Sequence, residues 1–335
     1  MTEPIIEARH LTKQFWVADR KTGFGGAFRN VVSRTGKHVG GVKDISFSIQ
    51  LGEAVGYIGP NGAGKSTTIK MLTGILVPSS GEATVAGVTP WDQRKHLARK
   101  IGVVFGQRTQ LWWDLPLIDS LQLLRYMYRV PEPQFVRNLD IARELLDLDS
   151  FIQTPVRQLS LGQRMRGDLA AALLHNPPIL YLDEPTIGLD VIAKTRIREF
   201  LATLNRAEKV TIMLTTHDLA DIEHLCKRII VIDRGELVYD GELMRLKETY
   251  GTRRQLTVDF EEPPGERIEA IRSPDIDIVS QEGVRVRLAF DRAQLSATQA
   301  LSIAGSIAPI RDMSIEEPAI EQVIQRLYEG SLQTV

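Results

Sequence analysis

The sequence predicts an α/β fold: a mixed core sheet, an antiparallel β subdomain, a helical subdomain, and a small C-terminal α+β domain. Three observations carry that expectation. Apolar runs at 54–58, 101–105 and 179–182 alternate with helical stretches, as parallel strands do. Residues 42–50 instead alternate apolar and polar, with Ile45, Phe47 and Ile49 on one face and Ser46, Ser48 and Gln50 on the other, as a half-buried antiparallel strand does. Beyond Gly251 the texture changes to short alternating segments and two short helices.

Taken in order, Ile5–Leu11 reads as a strand, and residues 17–41 follow as a long, polar, glycine-rich insertion. It holds Arg20, Lys21, Arg29, Arg34 and Lys37 against Asp19, with Phe24 and Phe28, a mixture suited to a solvated loop or to a partner or anionic headgroup. The strand Ala54–Ile58 leads into Gly59-Pro60-Asn61-Gly62-Ala63-Gly64-Lys65-Ser66-Thr67 and then a helix ending before Gly74. That is G-x-x-x-x-G-K-S between strand and helix, a phosphate-binding loop. Its glycines let N–H groups point inward around a phosphate, and the helix N-terminus adds a positive dipole end. Pro78-Ser79-Ser80-Gly81 marks a turn before a strand at 82–86, and helical periodicity follows at 117–128 and 140–148. Leu159-Ser160-Leu161-Gly162-Gln163 opens an Ala/Leu-rich helix from Arg164 to His175. The apolar strand 179–182 delivers Asp183-Glu184, a costly place for two carboxylates unless they face a metal or solvent. Gly188-Leu189-Asp190 precedes a helix over 191–205, and the strand 210–216 delivers His217-Asp218. A hairpin over 229–239 turns at Arg234-Gly235. Strands at 255–260 and 284–290 with helices at 295–303 and 320–328 make up the last unit.

Composition narrows the class. Hydrophobic residues at 43% and charged residues at 25% are ordinary for a soluble globular protein. The single cysteine, Cys226, precludes an internal disulfide framework and suits a reducing compartment. The start has neither a basic n-region nor an apolar h-region, and no apolar stretch approaches the ~18–20 residues of a membrane span. The chain is expected to be soluble by itself, which leaves docking on a membrane protein open. Residues 251–335 carry 9 Lys/Arg and 14 Asp/Glu, net −5, leaving net +4 for residues 1–250; neither half is basic enough to suggest nucleic acid as a partner.

Together these landmarks resemble the nucleotide-binding ATPase subunit of ATP-binding-cassette (ABC) transporters, over residues 5–245 and in the family's order. A P-loop is common, but an LSxGQ-type signature just ahead of the Asp183-Glu184 strand is specific to this superfamily. The resemblance implies the P-loop NTPase ABC-ATPase fold over residues 1–248, with a helical subdomain at about 108–158 and an accessory domain at 251–335. It implies an ATPase that uses ATP and Mg2+. Gly59, Asn61, Gly62, Ala63, Gly64, Lys65, Ser66 and Thr67 hold the phosphates, and Lys65 reaches the β/γ oxygens. Ser66 and Gln107 ligate Mg2+, with Asp183 holding it directly or through water. Glu184 is the general base, and His217 senses the γ-phosphate. Phe15 stacks on adenine or packs in the core, with Trp16 the neighbouring option for the stacking.

Ser160, Gly162 and Gln163 complete the site of an opposite, head-to-tail subunit, with Asp190 near the dimer axis; both half-sites are intact, so a homodimer is implied. Leu161 departs from the usual glycine of the signature. Trp112 and Trp113 fall where the family docks a permease, or pack inside the helical subdomain. The tail around 313–323 resembles the ABC-2 exporter type, which powers integral-membrane permeases from the cytoplasmic face of the inner membrane. The competing reading is a soluble ABC ATPase of ribosomes or DNA, whose members carry paired cassettes or long coiled coils; this chain has neither.

Overall fold

The computed structural model describes residues 3–18, 36–106, 108–251, 253–271, 275–317 and 320–332. The chain divides into two compact units, 1–241 and 242–335.

In the first unit, β1 (Ile6–Ala18), β2 (Gly36–Ile49) and β4 (Ser80–Val85) form an antiparallel sheet in the order β2-β1-β4. The main sheet runs β5-β6-β7-β3-β8-β9, from β3 (Ala54–Ile58), β5 (Ile101–Phe105), β6 (Ile179–Asp183), β7 (Thr211–Thr215), β8 (Arg228–Asp233) and β9 (Glu236–Glu242). Its β5/β6, β6/β7, β7/β3 and β3/β8 pairings are all parallel. Every residue of β3 and β7 is buried, which explains their unbroken apolar runs. Helix α1 (Lys65–Leu72) joins the two sheets: Ile69, Met71 and Leu72 share one core cluster with Ile6, Ile45, Val85, Tyr57, Tyr181 and Ile230.

After β4 comes one short turn, α2 (Arg94–Leu97). The helical subdomain contains α3 (Leu117–Tyr128) and α4 (Glu132–Leu146), and leads to α5 (Leu161–Leu173). Helix α4 starts about two turns before the apolar periodicity suggests; Pro133 sits in its first turn, where a missing N–H leaves no intrahelical bond unmade. Helices α6 (Val191–Glu208) and α7 (Leu219–Leu225) flank β7 in sequence.

The 17–41 segment is not all loop. Strand pairing continues through Val17↔Lys37 and Ala18↔Gly36, so both ends of the expected insertion are hairpin strands. Residues 19–35, with their basic and aromatic side chains, lie outside the described residues.

The second unit holds α8 (Leu243–Tyr250), β10 (Arg253–Phe260), β11 (Ile276–Glu282), β12 (Arg285–Asp291), α9 (Ala297–Gly305), β13 (Ile310–Glu316) and α10 (Ile320–Leu332). Its antiparallel sheet is ordered β11-β12-β10-β13. Leu256, Val258, Phe260, Val286, Leu288 and Phe290 pack against Ala300 and Ala304 of α9 in a core of their own. Helix α8 belongs here rather than to the first unit: Arg292 donates to the Glu248 carbonyl at 3.0 Å and Arg326 to that of Tyr250 at 3.3 Å.

Candidate functional site

The phosphate loop lies between a strand with no exposed side chain and a helix packed between two sheets, so its ends cannot drift. Gly62 (φ 82°) and Gly64 (φ 111°) take left-handed backbone conformations that a side chain would strain, and Gly64 N-caps α1 with no side chain in the way. The Ala63 N–H donates to Pro60 O at 3.1 Å, and the Gly235 N–H to Ala63 O at 3.0 Å, which pins the loop to the β8–β9 turn. Asn61 and Gly62 stay exposed, whereas Ala63 is buried. Lys65, 7% exposed, donates to Gly59 O at 2.6 Å and Pro60 O at 3.1 Å. Burial lowers its ammonium pKa, and the Glu184 and Asp183 carboxylates oppose that shift. A buried cation hydrogen-bonded to two carbonyls suits an incoming phosphate oxygen. Thr67 follows Ser66 on the same turn, and Thr68 bonds back to Gly64 O at 3.1 Å.

Opposite the loop, β6 ends at Asp183. Its Oδ2 accepts from Ser66 Oγ at 3.1 Å and its Oδ1 from Thr215 Oγ1 at 2.5 Å. Glu184 has a left-handed backbone (φ 57°), held by its N–H donating to Thr215 O at 2.9 Å. That kink turns its carboxylate toward His217, whose Nε2 lies 2.8 Å from Glu184 Oε1. A non-glycine residue at this φ costs on the order of 1 kcal/mol and persists only where surrounding contacts over-determine it. A cavity of ≈ 330 Å³ opens beside these groups, lined by Ser66, Lys70, Phe105, Gly106, Asp183 and Glu184 among others. Gln107 lies outside the described residues. Its neighbours are anchored: Thr109 Oγ1 and the Gln110 N–H donate to the buried carboxylate of Asp168 on α5 at 2.9 and 3.0 Å. Burial raises that carboxyl to about 6, against the two hydrogen bonds.

Phe15 is 39% exposed, with Lys13 Nζ 5.6 Å from its ring centroid; a Cβ on Gly41 would meet both its ring and the Thr67 methyl, so Phe15 stands beside the start of α1. Trp16 is 51% exposed.

Ser160, Gly162 and Gln163 do not line the cavity. They open α5 with a reciprocal capping box: Gln163 N–H to Ser160 Oγ at 3.2 Å, and Ser160 N–H to Gln163 Oε1 at 2.9 Å. A Cβ on Gly162 would stand 3.4 Å from that of Ala193, and one on Gly188 would press on Leu161 Cδ2. The departure at Leu161 is thus taken up by packing against Gly188. Asp190 caps α6, accepting from the Ala193 N–H at 2.8 Å. Trp112 and Trp113 are 37% and 50% exposed, with the Arg164 guanidinium 5.5 Å from the Trp113 ring.

Sequence reasoning missed the supporting shell: Thr215 on Asp183, Asp168 under Thr109 and Gln110, and Asp221 beneath Thr186 and Thr216. The one visible hint is an Asp inside the Ala/Leu-rich run of α5.

The ABC transporter family model matches residues 42–187. The ATP-binding protein NatA of Bacillus subtilis is 34% identical over 64% of this chain and 86% of its own length. The Nod factor export ATP-binding protein I of Cupriavidus metallidurans is 36% identical over 73% of this chain and 78% of its own length. The linearmycin resistance ATP-binding protein LnrL of Bacillus subtilis is 36% identical over 65% and 70%. Among solved structures, the dimeric post-hydrolysis state of the ATP-binding cassette MJ0796 bound to ADP and Pi is 27% identical, with a TM-score of 0.59 over 71% of this chain and 98% of that one. CbiO1 of Clostridium perfringens, part of the transporter complex cbiONQ, matches at 26% identity and a TM-score of 0.60 over 74% and 92%. Among the described residues no helix is long and apolar enough to cross a membrane. On the shared cassette fold, where a buried lysine lies within the influence of Asp183 and Glu184 and Glu184 contacts His217, the family match and the relatives identify this chain as an ATP-hydrolysing, ATP-binding subunit of the ABC transporter family.

Proposed function

We propose that two copies of this chain pack head to tail around two ATP molecules and drive an ABC-2-type exporter of drug-like or other hydrophobic compounds from the cytoplasmic face of the inner membrane. The observation that carries it is a half-site: Ser66, Asp183 and Glu184 line one cavity, with His217 2.8 Å from Glu184 and Lys65 within reach of both carboxylates' charge, while Ser160, Gly162 and Gln163, equally intact, do not line it. The dimeric state of the MJ0796 cassette and the export functions named for the Nod-factor and linearmycin relatives support the same reading.

In this reading Lys65 and the N–H groups of residues 59–67 bind the β- and γ-phosphates, and Phe15 stacks on adenine. Ser66 Oγ and Asp183 Oδ2, 3.1 Å apart, are the oxygen donors that Mg2+ takes from a protein when phosphates fill other positions, with Gln107 the further candidate. The ion supplies neutralisation of phosphate charge. Glu184 accepts the proton of the attacking water, and His217 holds the γ-phosphate side of the site. Ser160 and the N–H groups opening α5 meet the partner's γ-phosphate across the interface, with Asp190 beside the axis. Trp112 and Trp113, rather than packing inward, form the anchor for the permease subunits.

Mixing two inactive chains tests the arrangement. Lys65→Ala and Ser160→Arg each inactivate a homodimer, but the mixed dimer contains one site built from the intact half of each. Recovery of about a quarter of wild-type turnover in an equimolar mixture is expected, since half the dimers carry one working site. No recovery at all refutes head-to-tail sharing.

A further inference from the structure

We propose that Asp221 is a positioning residue for catalysis: its buried carboxylate ties the segment after Glu184 to the segment before His217 and couples both to α6. The inference rests on Glu184 being the base and His217 its partner. Asp221 is 1% exposed, on the first turn of α7. Its Oδ2 accepts from Thr186 Oγ1 at 2.5 Å and Thr216 Oγ1 at 3.0 Å, and its Oδ1 from Arg198 Nε at 2.5 Å. Thr186 lies two residues after Glu184, and Thr216 immediately precedes His217. Both threonines are nearly inaccessible, 2% and 4% exposed.

His217 needs such a device. Its side chain is 47% exposed, so little packing holds the ring. Its placement depends on the backbone at either side. On one side Thr216 hangs from Asp221; on the other, Asp218 is bound by Lys194 Nζ at 2.6 Å and Arg198 Nη2 at 3.1 Å. Glu184 is in a strained left-handed conformation, and the next turn, closed by the Ile187 N–H on Glu184 O, carries Thr186 back to the same carboxylate. One group therefore fixes both members of a 2.8 Å contact. Only a carboxylate accepts three donors on two oxygens while neutralising the guanidinium.

Arg198 and Lys194 give the network a reach beyond one active site. Both lie on α6, whose N-cap is Asp190, the residue placed at the dimer axis. A shift of α6 on dimer closure moves Asp218 and Asp221 together, and with them His217 and Thr186. The network is thus a physical route by which the partner's arrival sets the base and the switch histidine in register.

The test separates positioning from bulk stability. Thr186→Val removes one hydroxyl while keeping volume, and Thr186→Ser returns it. With saturating Mg-ATP, Thr186→Val is expected to lower kcat at least fivefold with KM for ATP and the melting temperature unchanged, and Thr186→Ser to recover most of the loss. Asp221→Asn should show the same kcat-selective loss, larger. A smaller fall in Thr186→Val, or one that comes with weaker ATP binding and lower melting and resists Thr186→Ser, overturns the positioning role. Glu184→Gln is run in parallel: if it keeps turning over, the base assignment has failed, whereas an inactive Glu184→Gln beside a normal Thr186→Val sinks only the role of Asp221.

Discussion

Replacing Glu184 by Gln is the most informative single change at the site. The substitution keeps the side-chain length and leaves an oxygen able to accept from His217 Nε2, now at 2.8 Å, so geometry is preserved. What disappears is a proton acceptor and one negative charge. A positioned general base contributes roughly 10²–10⁴-fold in rate, which is about 3–5 kcal/mol of barrier. Nucleotide binding should move the other way. The carboxylate lies close enough to Lys65 to oppose the lowering of its pKa, so it would also repel a phosphate held by Lys65. Two like charges about 5 Å apart at an effective dielectric of about 40 repel by about 1.7 kcal/mol, a tightening on the order of tenfold when one is removed. Phosphate release at saturating Mg-ATP, a fluorescent-nucleotide titration, and size-exclusion chromatography with light scattering read the three consequences. The expected result is turnover at or below about 1% of wild type, ATP held at least as tightly, and a stable ATP-bound dimer. A folded variant that hydrolyses ATP within tenfold of the wild-type rate refutes the base assignment.

Lys65→Ala removes a buried ammonium from the phosphate loop and should weaken ATP binding roughly 10–100-fold, the worth of a charge-assisted hydrogen bond; unchanged affinity contradicts the P-loop reading. His175 carries an acid sensitivity. Its ring stacks on Tyr128 at 4.2 Å, its Nε2 donates to Ile101 O at 3.0 Å, its Nδ1 is buried without a partner, and burial lowers its pKa to about 4. The unfolded chain binds a proton near pH 6.5 that the native state refuses, so stability is full above that value and lost as pH falls toward 4. Between pH 7.5 and pH 5 the loss is about 2 kcal/mol, and His175→Phe should flatten that part of a denaturant-midpoint profile. Phe290→Ala opens the core of the C-terminal unit and should cost it about 3–5 kcal/mol. Scanning calorimetry is expected to show one transition lowered while the ATP-stabilised transition stays in place.

Much of the site was legible because its parts are local. A glycine-rich turn between an apolar strand and a helix builds a phosphate cradle from nine consecutive residues, Gly59–Thr67. Asp183-Glu184 and His217 announce themselves as polar groups at the ends of buried strands, where nothing but a site repays their desolvation. The supporting contacts were not legible. Thr215 reaches Asp183 across 32 positions, Thr186 reaches Asp221 across 35, and Thr109 reaches Asp168 across 59. A threonine in a strand carries no mark of what it will face.

The fold divides in the same way. Buried parallel strands read as apolar runs because both faces are covered, but β11 and β13 went unread: they are the edge strands of the C-terminal sheet, and β13 has no fully buried residue to impose a two-residue period. Likewise the extension of β1 and β2 to Ala18 and Gly36 shows in the pairing across the hairpin. By itself the sequence determined the family and the nucleotide, and it nominated the residues proposed to handle it, since these depend on short motifs in a set order. Tertiary structure alone decided that Glu184 is turned toward His217, that Ser160 and Gly162 do not line the cavity beside Asp183 and Glu184, and that one buried carboxylate, Asp221, underlies both the segment after Glu184 and the segment before His217. Those facts are distances between residues far apart in the chain, and only packing sets such distances.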